Sequence, residues 1–269
     1  MRKRRRILPL AVFILLGIAL VSVYLFVFPA RREPMAGTPY TLVIQPNVSS
    51  HSVELVKRGL EIADHYLGER LGRTITAPID VRLSGFTPCT AVEPIPQLAA
   101  TGSADARRLC INTRSRVWRS ATADRRWIPL AVVAHEHFHV LQGQIGCLPP
   151  RGRTELAWLT EGSAVYVGWR SVIEADEVSA ERAEELFNRL LTSRGALPRL
   201  RTYERKIEGD AAYTLAYNAF QMLIGRGSLS SYMDFCARVG SGENWRAAFT
   251  QAFGLTVDQF YGAFESSRR

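Results

Sequence analysis

Ala131-Val-Val-Ala-His135-Glu136-His137-Phe138-His139-Val-Leu141 is the stretch that decides how the chain is read. It follows the apolar residues Ile128–Leu130, so the segment reads as a buried helix over about 128–143. His135 and His139 are four apart and share one helix face, one turn from each other. Imidazoles so placed can converge on one Zn²⁺ at about 2.0–2.1 Å. Glu136 sits beside the first histidine, within reach of a water activated at such a metal. The chain has five histidines, and three of them fall in these five residues. His137 points off the His135/His139 face and reads as a supporting or surface residue rather than a ligand.

Two histidines leave the metal short of a third protein ligand. A third histidine in an H-x-x-G-x-x-H arrangement is excluded, because residues 143–153 contain none. Downstream the chain reads Trp158-Leu-Thr-Glu161-Gly162-Ser-Ala164-Val-Tyr166. Glu161 lies 22 positions after His139, which leaves room for a loop carrying Pro149 and Pro150 and for a return helix. Two histidines and a glutamate leave the fourth position of a single zinc ion open for chemistry. Tyr166, Trp158 and Trp169 read as packing residues.

H-E-x-x-H followed by W-L-x-E-G-x-A-x-Y resembles the gluzincins, specifically the peptidase MA-like bacterial families, which share an active-site layout with thermolysin and the alanyl and leucyl aminopeptidases. The resemblance implies zinc ligands at His135, His139 and Glu161 and a general base at Glu136. It implies a zincin-like α+β fold, with a small mixed sheet, the active-site helix beneath it and a mostly helical C-terminal lobe. Ala212-Tyr213-Thr-Leu-Ala216-Tyr217 resembles the later helix on which aminopeptidases carry a tyrosine over the zinc. Tyr213 is the matching position, with Tyr217 one turn on as second choice, and its hydroxyl would stabilise the oxyanion. Trp245 to Phe260 resembles the closing pattern of these families, an A-F-x-x-x-F-G turn before a last helix. The family layout implies a substrate lying extended along a strand edge near Arg108–Thr113. The G-A-M-E-N exopeptidase motif of the aminopeptidases is absent from the chain. The implied activity is zinc-dependent peptide hydrolysis, with endopeptidase action favoured. A zinc hydrolase of a non-peptide amide and a metal-bound but non-catalytic envelope protein are the alternatives, and the intact Glu136 counts against the last.

Around this centre the pattern is coarse but legible. Strands are expected at Tyr40–Gln45, Ile79–Phe86 and Arg108–Thr113, and a helix from about His51 to Leu71 capped by Ser49 or Ser50. Residues 87–106 read as loop. Further helices are expected over about 154–172, 178–193, 211–225, 228–238, 244–253 and 256–267.

The formal net charge is +9, with 34 basic and 25 acidic residues among 269. Seven of the basic residues and one acidic residue lie in residues 1–37, so the rest of the chain carries only +3. That is too mild for a nucleic-acid partner. Arg2–Arg6 form an expected cytoplasmic segment (1–6), and the uncharged apolar run Ile7–Phe28 is long enough for a transmembrane anchor (7–28). A cleaved signal peptide is disfavoured by the length of the run and by Val27-Phe28-Pro29-Ala30 at its end. The basic cluster keeps the N-terminus cytoplasmic and puts the remainder outside the cytoplasm. Residues 29–39 read as a linker and 40–269 as the metallopeptidase domain. The four cysteines contain no C-x-x-C pair, and in an oxidising compartment Cys89–Cys110 and Cys147–Cys236 are the expected disulfides. Asn47-Val-Ser49 is a glycosylation sequon by pattern only.

Overall fold

A computed structural model describes residues 29–85, 100–102, 107–119, 121, 123–147, 156–192 and 197–268. The expected basic segment, the anchor at 7–28 and Cys89 lie outside the described residues. Among the described residues no helix is long and apolar enough to cross a membrane.

Five strands form one mixed sheet in the order β1-β2-β3-β5-β4: β1 (Arg31–Pro34), β2 (Tyr40–Ile44), β3 (Ile79–Ser84), β4 (Ala100–Gly102) and β5 (Arg108–Asn112). The three central strands β2, β3 and β5 are parallel, and β1 and β4 close the sides antiparallel. Alternation builds β2: Tyr40, Leu42 and Ile44 are buried while Thr41 and Val43 lie between. β2 and β3 are joined through helix α1 (Ser50–Leu71). Ser49 caps it, accepting from the Ser52 amide at 3.2 Å, and Gly72 ends it in the left-handed conformation, φ 58°.

Three sequence expectations need correcting here. Residues 29–39 are not all linker, because Arg31–Pro34 add to β2 as strand β1. The 87–106 stretch is not all loop, because Ala100–Gly102 form β4. Arg108–Thr113 does not offer an edge, because β4 pairs with Leu109–Ile111. Both missed strands are three or four residues long with little apolar alternation, and backbone pairing to a longer neighbour holds them.

After β5 and a single helical turn α2 (Arg116–Arg119), the chain is helical: α3 (Trp127–Gln144), α4 (Ala157–Glu174), α5 (Ala180–Thr192), α6 (Asp210–Arg226), α7 (Leu229–Gly240), α8 (Trp245–Phe253) and α9 (Val257–Ser267). Pro129 sits in the first turn of α3, where its missing N–H costs nothing. α3 is apolar nearly all round because it is enclosed by β4 and β5, by α1 and by α4. α4 in turn lies between α3 and α6.

Two glycines of α4 permit that double contact. A Cβ on Gly162 would stand 2.3 Å from the Ala216 carbonyl oxygen of α6, and one on Gly168 would stand 2.5 Å from the Ala131 carbonyl oxygen of α3 and 3.2 Å from the Cβ of His135. Gly168→Ala is therefore expected to push α3 away, destabilising the fold by about 1–3 kcal/mol and weakening metal binding together. Chemical denaturation of the metal-free protein checks the first effect. A variant as stable as wild type would show that the two helices can separate at no cost.

The closing segment follows the sequence expectation: Gly254 (φ 71°) ends α8, and Thr256 and Gln259 form a reciprocal capping box that starts α9. Cys147, just past α3, is disulfide-bonded to Cys236 in α7 across 89 residues of sequence. Cys110 is disulfide-bonded as well; its expected partner, Cys89, lies outside the described residues. The side-chain amide of Asn47 is buried with no hydrogen-bond partner among the described residues, so the sequon nitrogen is not presented to solvent.

Candidate metal centre

α3 and α4 bring the three expected ligands together. His135 and His139 project from one face of α3, and Glu161, in the second turn of α4, lies at the same point. His135 Nε2 and His139 Nε2 are 3.0 Å apart, and each lies 3.3 Å from Glu161 Oε2. Four ligands arranged tetrahedrally at about 2.0–2.1 Å stand about 3.3 Å from one another. The triangle therefore has the dimensions of one face of a tetrahedral zinc site, with the fourth corner open. Among the described residues these three form the only group of this kind. Their side chains are 14%, 11% and 25% exposed, so the site is recessed but open on one side.

The three side chains are coupled electrostatically. Burial disfavours a charged His139, but the Glu161 carboxylate and its hydrogen bond outweigh that, with help from Glu136 and Gln142, and raise His139 to about 9. Burial likewise opposes a charged Glu161, yet His139 and His135 hold its carboxyl well below the usual carboxylate range. Below about pH 9 the His139 imidazole therefore carries a second proton. The pairing stabilises the metal-free fold fully below the unfolded histidine value near 6.5, and that part is lost as the pH rises through about 9. The Glu161 part is present above about 4.3 and is lost as the pH falls.

Zinc has to displace this proton. Apparent zinc affinity is accordingly expected to rise about tenfold per pH unit up to about pH 9 and to level off above it, with about one proton released from this pair per ion. Chelator competition at pH 7, 8, 9 and 9.5 reads the slope. A flat profile from pH 7 to 9 would contradict it.

Glu136 lies beside the triangle, its Oε1 3.9 Å from His135 Nε2 and its side chain 12% exposed. Tyr213 comes from α6, the helix behind α4, and its ring lies 6.3 Å from that of His135. Burial first, and then the charges of Glu161 and Glu136, raise its hydroxyl far above the ordinary tyrosine value, so it stays a protonated donor. Tyr217 goes elsewhere: it stacks on Phe187 at 4.4 Å and Tyr166 at 6.0 Å. Of the two tyrosines left open by the sequence, Tyr213 is the one beside the histidines.

The remaining residues separate into packing and support. Trp158 stacks on Phe260 and donates to the Tyr261 hydroxyl, and Trp169 packs edge-on against Trp127 and Phe187. His137 is not a surface residue. It is 1% exposed on the far side of α3, with Nε2 2.7 Å from the Tyr40 hydroxyl and 3.1 Å from Asp64 Oδ1. This contact ties α3 to β2 and α1. Sequence reasoning also passed over Gln142, Ser163 and Tyr232, which form a buried polar group behind His139. The signal for Gln142 was its place one turn beyond His139, on the same side of the helix.

No protein-family model matches the chain, and no curated protein matches it. Solved structures do. The M1 zinc metallopeptidase from Deinococcus radiodurans aligns with a TM-score of 0.50 at 16% identity, covering 88% of this chain and 51% of that one. Legionella pneumophila aminopeptidase A, in complex with aspartic acid, aligns with a TM-score of 0.56 at 14% identity, covering 88% of this chain and 28% of that one. The fold is thus that of zinc metallopeptidases. The chain spans about half or less of the length of these neighbours.

Proposed function

We propose that this chain is a zinc-dependent peptidase, with one zinc ion held by His135, His139 and Glu161, acting outside the cytoplasm from a membrane anchor at residues 7–28. The observation that carries the reading is the triangle of ligand atoms at 3.0–3.3 Å with the Glu136 carboxylate 3.9 Å from one of its corners, His135 Nε2. Bound zinc would supply a Lewis acid and an acidified water. Glu136 would take up a proton from the attacking water and return it to the leaving nitrogen. The Tyr213 hydroxyl would donate to the carbonyl oxygen as that atom gains charge. Among the described residues, β4 is the edge strand on the side of the sheet against α3, so an extended peptide would pair with Ala100–Gly102. The location is supported by the Arg2–Arg6 cluster, by the apolar run after it and by the Cys147–Cys236 disulfide, which belongs to an oxidising compartment.

Endopeptidase action is the finer part of the proposal, supported by the missing exopeptidase motif. The full-length chain, purified in detergent and loaded with zinc, is to be incubated with peptide pools whose N-termini are blocked or free, and the products read by mass spectrometry. Internal cleavage of blocked peptides is expected. Stepwise loss of N-terminal residues from the free pool alone would make it an exopeptidase. Bound zinc with neither pool cleaved would favour the amide-hydrolase or non-catalytic readings.

A further inference from the structure

Behind His139, on the side away from the open corner, lies a side chain with no exposure to solvent: Gln142 is 0% exposed. Its Oε1 is 2.6 Å from His139 Nδ1. Its Nε2 lies 3.2 Å from the Thr160 carbonyl, 2.9 Å from the Ser163 hydroxyl and 2.8 Å from the Tyr232 hydroxyl, three acceptors for its two hydrogens. The Thr160 carbonyl can only accept, so the NH₂ end of the amide must face that side and Oε1 must face the histidine. An amide oxygen can only accept in turn, so His139 has to carry its hydrogen on Nδ1. That leaves the Nε2 lone pair, the one pointing into the triangle, for a metal. Ser163 donates on to the Thr160 carbonyl at 2.9 Å, and the Tyr232 hydroxyl stands 3.4 Å from Sγ of Cys147. The amide is therefore held by α4, by α7 and, through Tyr232, beside the disulfide.

We propose that Gln142 is the positioning residue of the metal centre: it fixes the tautomer and ring plane of His139 and so sets the affinity for the ion. This rests on the zinc reading above. Partners of this kind contribute about 10- to 100-fold in metal affinity.

The test is the zinc dissociation constant by chelator competition on the full chain, for wild type, Gln142→Met and Gln142→Glu, together with the melting temperature of each metal-free protein. Met matches the glutamine in length but has no oxygen acceptor, while Glu keeps one. We expect zinc to bind about 10- to 100-fold more weakly to Gln142→Met and within about threefold of wild type to Gln142→Glu. Equal affinity in all three overturns the proposal, as does equal loss in both variants, which would mean that Gln142 only packs. If Gln142→Met does not fold, Tyr232→Phe decides. It removes one anchor of the amide and should weaken zinc several-fold, and an unchanged constant overturns the proposal. Failure of wild type to bind zinc would appear before any variant is compared and would overturn the zinc reading itself.

Discussion

Glu136→Gln is expected to bind zinc as wild type does and to hydrolyse peptides about 10²- to 10⁴-fold more slowly. Glu136 Oε1 is 3.9 Å from His135 Nε2 and lies outside the ligand triangle, so removing its charge leaves all three donors in place. Glutamine has nearly the same shape and keeps the local packing, but it has no carboxylate to take a proton. Metal content and peptide turnover, measured on one preparation, separate the two roles. Wild-type turnover in this variant would remove the general base from the proposal, and loss of zinc would mean that Glu136 holds the ion.

The second large effect is expected at Glu161. Its Oε2 is the corner of the triangle equidistant from the two histidines, 3.3 Å from each. Glu161→Ala leaves two imidazoles four residues apart on one helix, too few ligands for a closed structural site or an open catalytic one. Zinc affinity should fall more than 100-fold, beyond the range of an outer partner such as Gln142. The same change takes away the charge that most raises His139, so the pH dependence of any residual binding should shift below pH 9. Chelator competition reads both. Affinity within threefold of wild type would place the third ligand elsewhere and end the gluzincin reading.

Much of the centre was legible from the sequence because helical spacing is local geometry. His135 and His139 meet wherever residues 131–141 are helical, and an apolar segment of that length flanked by the sheet has few other options. Glu161 was legible from its motif, but the reason for the glycine after it was not. Gly162 is required by the Ala216 carbonyl oxygen, on a helix some fifty residues later. The tyrosine was half legible. Tyr213 and Tyr217 both lie on α6 one turn apart, and only the packing of Phe187 and Tyr166 around the second sends the first to the histidines.

The strands divide in the same way. β2 and β3 show buried alternation and were expected, whereas β1 and β4 are held by hydrogen bonds to their neighbours and leave almost no pattern of their own. The open edge was consequently assigned to β5 when β4 covers it.

The sequence by itself determined the helical pair of histidines, the glutamate that follows and the helical character of the C-terminal half. In each case the information lies within a few turns of chain or in a motif. Only the tertiary structure decided which tyrosine faces the centre, which strand is the edge, that His137 is buried against Tyr40 and Asp64, and that Gln142 holds His139. Each of those depends on groups brought together from distant segments, and their contacts exist only once α3 and α4 are packed.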